Sequence, residues 1–142
     1  MFTHILLASD GSVCALRAAA TAATLASKFT ARLIIINVFQ PTLAYGPFRE
    51  VVSSDLHEQY VRELQEHAIA PAGHIMEGMG VSYQSRCEIG SPPVEIMRVA
   101  EAEGCDLIVL GSRGLSDIKA FLIGSVSDRV AHHAHCPVLI VK

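Results

Sequence analysis

The strongest chemical signal in the sequence is Gly111-Ser112-Arg113-Gly114, followed after nine residues by Gly124-Ser125-Val126-Ser127. An apolar run, Leu107-Ile108-Val109-Leu110, precedes it and reads as a buried strand, and a helical pattern begins near Ser125. Strand, glycine loop and helix start therefore follow one another. Glycines let a backbone approach a ligand closely, and the N–H groups of a helix's first turn have no partner within the helix and carry partial positive charge. The chemistry such a stretch offers is anion binding, with phosphate the natural ligand. The plain alternative is a β–α turn whose glycines serve tight packing. The chain contains no GxGxxG and no GxxxxGK[ST], so a P-loop lysine facing the β- and γ-phosphates is missing.

A second turn, Asp10-Gly11-Ser12, closes an apolar run near the N-terminus, where Asp10 or Ser12 can cap a following helix. His132, His133 and His135 cluster near the end of the last helical pattern, with His132 and His135 at an i, i+3 spacing; two histidines make a weak metal site, and surface histidines are expected. Cys14, Cys87, Cys105 and Cys136 show neither CxxC nor metal-ligand spacing and read as reduced, core-filling residues. Cys14 is the partial exception, because it falls in a first helical turn, a place that lowers thiol pKa. No Ser-His-Asp arrangement and no obvious base for an attacking water falls near the glycines, so no catalytic residue is assigned.

The elements that must position these residues alternate. Thr3 to Ala8 is the first strand, and Leu16, Ala19, Ala20, Ala23 and Ala26 mark a helix running to about Phe29. Arg32 to Val38 is the second strand, and Phe39 to Ser53, with Pro41, Gly46 and Pro47, is a loop. Leu56, Tyr60, Leu64 and Ala68 give the inner stripe of a second helix that Pro71 should kink or end, with a helix resuming to about Met79 as the alternative because His74 to Met79 contains no proline. Val81 to Glu88 is an edge strand; Ser91 caps a helix with Pro92 at its first position, running to Glu103 with Ile96, Met97 and Ala100 inward. Asp106 to Leu110 is the fourth strand, Val126, Val130 and Ala134 face inward from the last helix, and Val138 to Val141 is the final strand. Strands alternating with helices at these lengths imply right-handed crossovers and a parallel sheet covered on both faces.

The 142 residues fit one domain, 1–142. Eleven basic against fourteen acidic residues, without a basic block, make nucleic acid a poor partner. The expectation is a cytoplasmic chain, with no signal peptide at its start and no apolar run near the roughly 20 residues of a membrane span.

The G-x2-G-x9-G-[ST] spacing resembles the nucleotide-binding signature of the universal stress protein family. The resemblance extends to Asp10-Gly11-Ser12, Gly90-Ser91-Pro92, Cys105 to Gly111 and Cys136 to Val141, and so covers essentially the whole chain. It implies a three-layer, Rossmann-like or flavodoxin-like fold with about four helices on a five-stranded parallel sheet of order 3-2-1-4-5. In such sheets ligands bind beyond the carboxyl ends of the strands where the order reverses, which brings Asp10 and Gly111 to one crevice. The resemblance further implies ATP, or ADP or AMP, with Mg2+ bridging phosphates. Gly111, Ser112, Arg113 and Gly114 would line the ribose and phosphate side, and Gly124, Ser125, Val126 and Ser127 would receive phosphates. Asp10 would lie near base and ribose, Val38 would meet adenine through its backbone, and Ala8 stands where the family frequently has proline. Asp117 departs from the family pattern; the expectation is that it points to solvent, with Lys119 offsetting it.

The leading expectation is a nucleotide-dependent switch that acts on an unidentified protein partner and orders the loop from Leu115 to Ile123. The alternatives are a dimeric interaction module that binds no nucleotide, and a slow ATPase or autokinase. A homodimer through the Val138 to Val141 edge is expected in addition.

Overall fold

A computed structural model of the chain describes residues 1–41, 54–115 and 123–142. Its elements are β1 (His4–Ala8), α1 (Val13–Phe29), β2 (Arg32–Phe39), α2 (Ser54–Gly78), β3 (Tyr83–Ile89), α3 (Pro92–Ala102), β4 (Leu107–Gly111), α4 (Ser125–His133) and β5 (Val138–Val141). All strand pairs are parallel and the order is β3-β2-β1-β4-β5, as expected. Asp117, Lys119, most of the Leu115 to Ile123 loop and most of the Phe39 to Ser53 loop lie outside the described residues.

Strand alternation builds the three layers. Ile5, Leu7, Leu33, Ile35, Leu107 and Val109 face α1 and α2, while Leu6, Ile34, Ile36, Ile108 and Leu110 face α3 and α4. The central strands are apolar on both faces because both are covered. Ala15, Ala18, Ala19, Ala22, Ala23 and Ala26 form the buried stripe of α1, and their small side chains let its axis lie close to the sheet.

The second helix departs from expectation in the phase of its buried stripe. Leu56, Tyr60 and Leu64 are 61%, 42% and 38% exposed, and the buried stripe is Val61, Gln65, Ala68, Ile69, Ala72 and Met76. The phase is set by the C-terminal half, where Ile69, Ala72 and Met76 pack against α1 and the sheet; carried back by helical periodicity, it turns Gln65 inward. That buried amide is satisfied because Gln65 Nε2 donates to Glu88 O at 3.1 Å. Of the outcomes open at Pro71, the helix does not end there but continues to Gly78, close to the expected Met79. Here the β1–α1 turn docks on α2: Ser9 Oγ donates to Ala68 O at 2.9 Å, and a Cβ on Gly11 would lie 3.4 Å from His67 O. His67 O is the carbonyl that loses its donor to a proline at position 71.

Further differences are local. Ser91 precedes α3 as its cap residue but makes no side-chain capping bond. Val99 joins Ile96 and Ala100 in the core, while Met97 is only partly buried. Cys87 is exposed on the edge strand rather than core-filling. His135 lies beyond the end of α4, so it shares no helical face with His132; its Nε2 lies 3.2 Å from Cys105 O, and His132 Nδ1 lies 2.8 Å from Asp128 O.

Candidate functional site

The crevice forms where β1 and β4 end side by side and the chain departs in opposite directions. From β1 the chain enters Ser9-Asp10-Gly11-Ser12. Gly11 takes a φ of +80°, a left-handed turn that aims the next residues into α1. Ser12, not Asp10, caps α1: its Oγ accepts from Ala15 N at 3.2 Å and donates to Arg113 O at 3.5 Å. Asp10 instead spans the two loops, with Oδ1 accepting from Ser12 N at 2.9 Å and Oδ2 from Leu115 N at 3.0 Å.

The glycines serve close approach. A Cβ on Gly111 would stand 2.7 to 2.9 Å from the Cys14 and Ala15 atoms of α1, so the first turn of that helix rests on bare backbone. A Cβ on Gly114 would stand 2.5 Å from Asp10 Oδ2. Ser112 lies behind the wall, 7% exposed. Its N–H donates to Val141 O, its hydroxyl to Cys14 Sγ at 3.9 Å, and its carbonyl accepts from Gly124 N at 2.6 Å and Ser127 Oγ at 3.0 Å. Ser112 thus pins the start of α4 to the end of β4.

These loops enclose a cavity of about 470 Å3. Val38 of β2 and Ser125, Val126 and Ser127 of α4 line it from its two sides, and Ala8, Asp10, Gly111, Arg113 and Gly114 of the adjoining β1 and β4 ends complete the lining. Ser112 and Gly124 do not line it, and the Gly124 N–H is spent on Ser112. The N–H groups of Ser125, Val126 and Ser127 belong to the first turn of α4 and have no intrahelical acceptor; Asp128 N is the first to bond back, to Gly124 O at 2.9 Å. An anion entering this end meets three oriented donors and the positive end of a helix dipole.

The opposite end is a strand terminus. Ser9 N donates to Ile36 O, and Gly90 N to Phe39 O. The backbone polar groups of even-numbered residues here therefore point toward β1, and those of odd-numbered residues toward β3. The β1–β2 register stops at Ala8 and Ile36, so Val38 presents its N–H and C=O where β1 has already turned away. Leu64, Ala68 and Ile96 add apolar walls, and Asn37 and Gln40 add polar ones. Sequence reasoning passed over these. The findable signal was Asn37, a polar residue that interrupts the apolar run Leu33 to Phe39.

A larger groove, about 640 Å3, lies between α2 and the edge strand β3, walled by side chains such as Val61, Gln65, Tyr83 and Cys87 without a glycine turn. Burial, with Cys136 alongside, pushes the pKa of the Cys105 thiol up to about 11, and burial likewise raises Cys136 and, together with Glu66 and Glu88, Cys87. Cys14 is buried beneath Ser112. Among the described residues, no group of three or more His, Cys, Asp or Glu could hold a metal ion, and no helix is long and apolar enough to cross a membrane.

Comparison with known proteins agrees with this fold. A universal stress protein of Thermus aquaticus is 36% identical over 143 residues, covering all of both chains. The solved structure of MJ0577, a subject of structure-based assignment of biochemical function, superposes with a TM-score of 0.81 at 28% identity, covering 100% of this chain and 96% of that one. A universal stress protein in complex with cAMP superposes with a TM-score of 0.73 at 26% identity, covering 99% and 97%. The sequence pattern of the universal stress protein family matches residues 1–142, and the chain belongs to that family.

Proposed function

We propose that this chain binds an adenine nucleotide, ATP with ADP or AMP as its alternatives, and acts as a cytoplasmic nucleotide-dependent switch in stress response. The observation that carries the reading is one cavity with complementary ends: open first-turn N–H groups of α4 at one, the open Val38 backbone at the other. A backbone N–H beside a C=O matches adenine, whose N1 accepts and whose 6-amino group donates; guanine presents the reverse pair. The cavity volume falls within the range of small-molecule sites. That a family member of known structure holds cAMP supports the same ligand class.

The residues present also fit a magnesium nucleotide. Both Asp10 oxygens already accept backbone N–H groups, so Mg2+ would be carried chiefly by phosphate oxygens and water, its usual habit. The ion would supply charge neutralisation of the phosphates, while the chain's own part is orientation by main-chain donors. At a micromolar Kd the nucleotide contributes about 8 kcal/mol of binding free energy, enough to remodel a partner surface.

Calorimetry with ATP and Mg2+ tests the reading. Ser125→Glu is the informative variant, because a carboxylate in the first turn favours the helix dipole and leaves folding intact while repelling phosphate. Micromolar binding that weakens more than about tenfold in Ser125→Glu supports the proposal. No binding by the parent chain overturns it and leaves the interaction module in the lead.

The homodimer belongs to the same proposal. β5 is a sheet edge of four partly buried apolar residues, paired on one side to β4 and, among the described residues, to no strand on the other. A dimer by sedimentation at micromolar concentration is expected; a monomer there overturns it.

A further inference from the structure

We infer that Asn37 is a positioning residue that holds the end of β2 open, keeping the Val38 N–H free to recognise a base; its ligand side rests on the nucleotide reading above. The argument starts from Ser9, which is 4% exposed and must satisfy every polar group within the protein. Its N–H donates to Ile36 O at 2.9 Å and its hydroxyl to Ala68 O at 2.9 Å. In a parallel ladder one step longer, its carbonyl would take the Val38 N–H. It takes the Asn37 side chain instead, with Nδ2 donating at 2.8 Å.

Because the Ser9 carbonyl can only accept, the atom facing it must be the amide nitrogen, which fixes the orientation of the Asn37 carboxamide. The side chain thus substitutes for the backbone donor that stands next to it in sequence. The exchange has a cost and a gain. The sheet forgoes one ladder bond, and the crevice retains a backbone donor beside the Val38 C=O. Without the amide, the Ser9 carbonyl would be a buried acceptor lacking a donor, and the nearest replacement is the Val38 N–H. The ladder would then close by one bond and consume the group that faces the ligand.

The test uses the full chain in two forms, free and titrated with ATP or GTP. Amide hydrogen exchange on free protein should find Val38 fast beside Ile36, the previous residue on the same side of β2 and within the ladder. In Asn37→Leu, and in the isosteric Asn37→Asp that lacks a donor, Val38 exchange should slow by at least about tenfold. ATP affinity should fall about tenfold and the preference for ATP over GTP should narrow, with the thermal midpoint held or raised. Slow Val38 exchange in the parent chain overturns the inference, even if neither variant folds. Unchanged exchange in both variants overturns it as well. Failure of the parent chain to bind ATP, with the exchange pattern as expected, removes the nucleotide reading and upholds the hold of Asn37 on the strand.

Discussion

The two ends of one sheet carry an aspartate each, and the two do opposite work. At the N-terminal end Asp106 ties β1 to the start of β4: Oδ2 accepts from Thr3 N at 2.8 Å and Thr3 Oγ1 at 2.7 Å, and Oδ1 from His4 N at 3.0 Å, while Asp106 N donates to His4 O. At the C-terminal end Asp10 ties the same two regions through loops, across a gap wide enough for a cavity. The first carboxylate closes a seam between adjacent strands and the second spans a crevice. What differs is the backbone beneath: pairing is in register at one end and has turned away at the other.

Substitution can break this contrast. The largest effect is expected from Gly111→Val, which drives a branched side chain into the backbone of α1 and should cost about 3 kcal/mol by denaturant unfolding. Asp106→Ala should follow at about 2 kcal/mol, since it removes three bonds to a charged acceptor. Burial works to raise the Asp106 pKa, but the hydrogen bonds from Thr3 and His4 outweigh it and hold the carboxyl below the usual range. A group depressed on folding contributes its stability above the unfolded pKa and loses it as pH falls through the folded one. The gap between parent and Asp106→Ala should therefore be full at pH 7 and shrink below about pH 4.

Asp10→Ala should cost less, about 1 kcal/mol, because its two partners sit in loops that water can reach; a loss as large as that of Asp106→Ala would erase the distinction between seam and span. The smallest change belongs to Glu103→Gln. Glu103, at the C-terminal end of α3, pairs with Arg32 and Arg86, and because both arginines are nearly half exposed, less than about 1 kcal/mol should be lost, decreasing further in high salt.

Much of this was readable in the sequence, for identifiable reasons. Runs such as Leu33 to Ile36 name doubly covered strands, and the alanines of α1 name a helix but its buried face only in part, since Ala19, Ala23 and Ala26 are buried while Ala20 is exposed and Leu16 half-buried. The glycine turn was legible because the clearances at Gly111 and Gly114 leave no room for a side chain. The α2 stripe was not, because Leu56, Tyr60 and Leu64 carry the right period in the wrong phase, and a satisfied buried Gln65 looks like a surface residue until Glu88 O is placed beside it. At Pro71 the sequence left open a kink, an end or a resumed helix, and the structure carries the helix on to Gly78. Asn37 stands out in the sequence as a polar break in an apolar run, but what its side chain does became visible only once strand register was known.

The wall of the crevice has a consequence for how this protein tolerates inheritance. The groups that would meet a ligand at Val38, Ser125 and Val126 belong to the main chain, which every residue except proline carries. A saturation scan selecting for ligand retention should look nearly silent at these positions for small and neutral replacements, and unforgiving at Gly111 and Gly114. Lineages could rewrite the visible side chains of this face while the recognition chemistry stays put, so divergence in sequence here would be a poor clock for divergence in ligand.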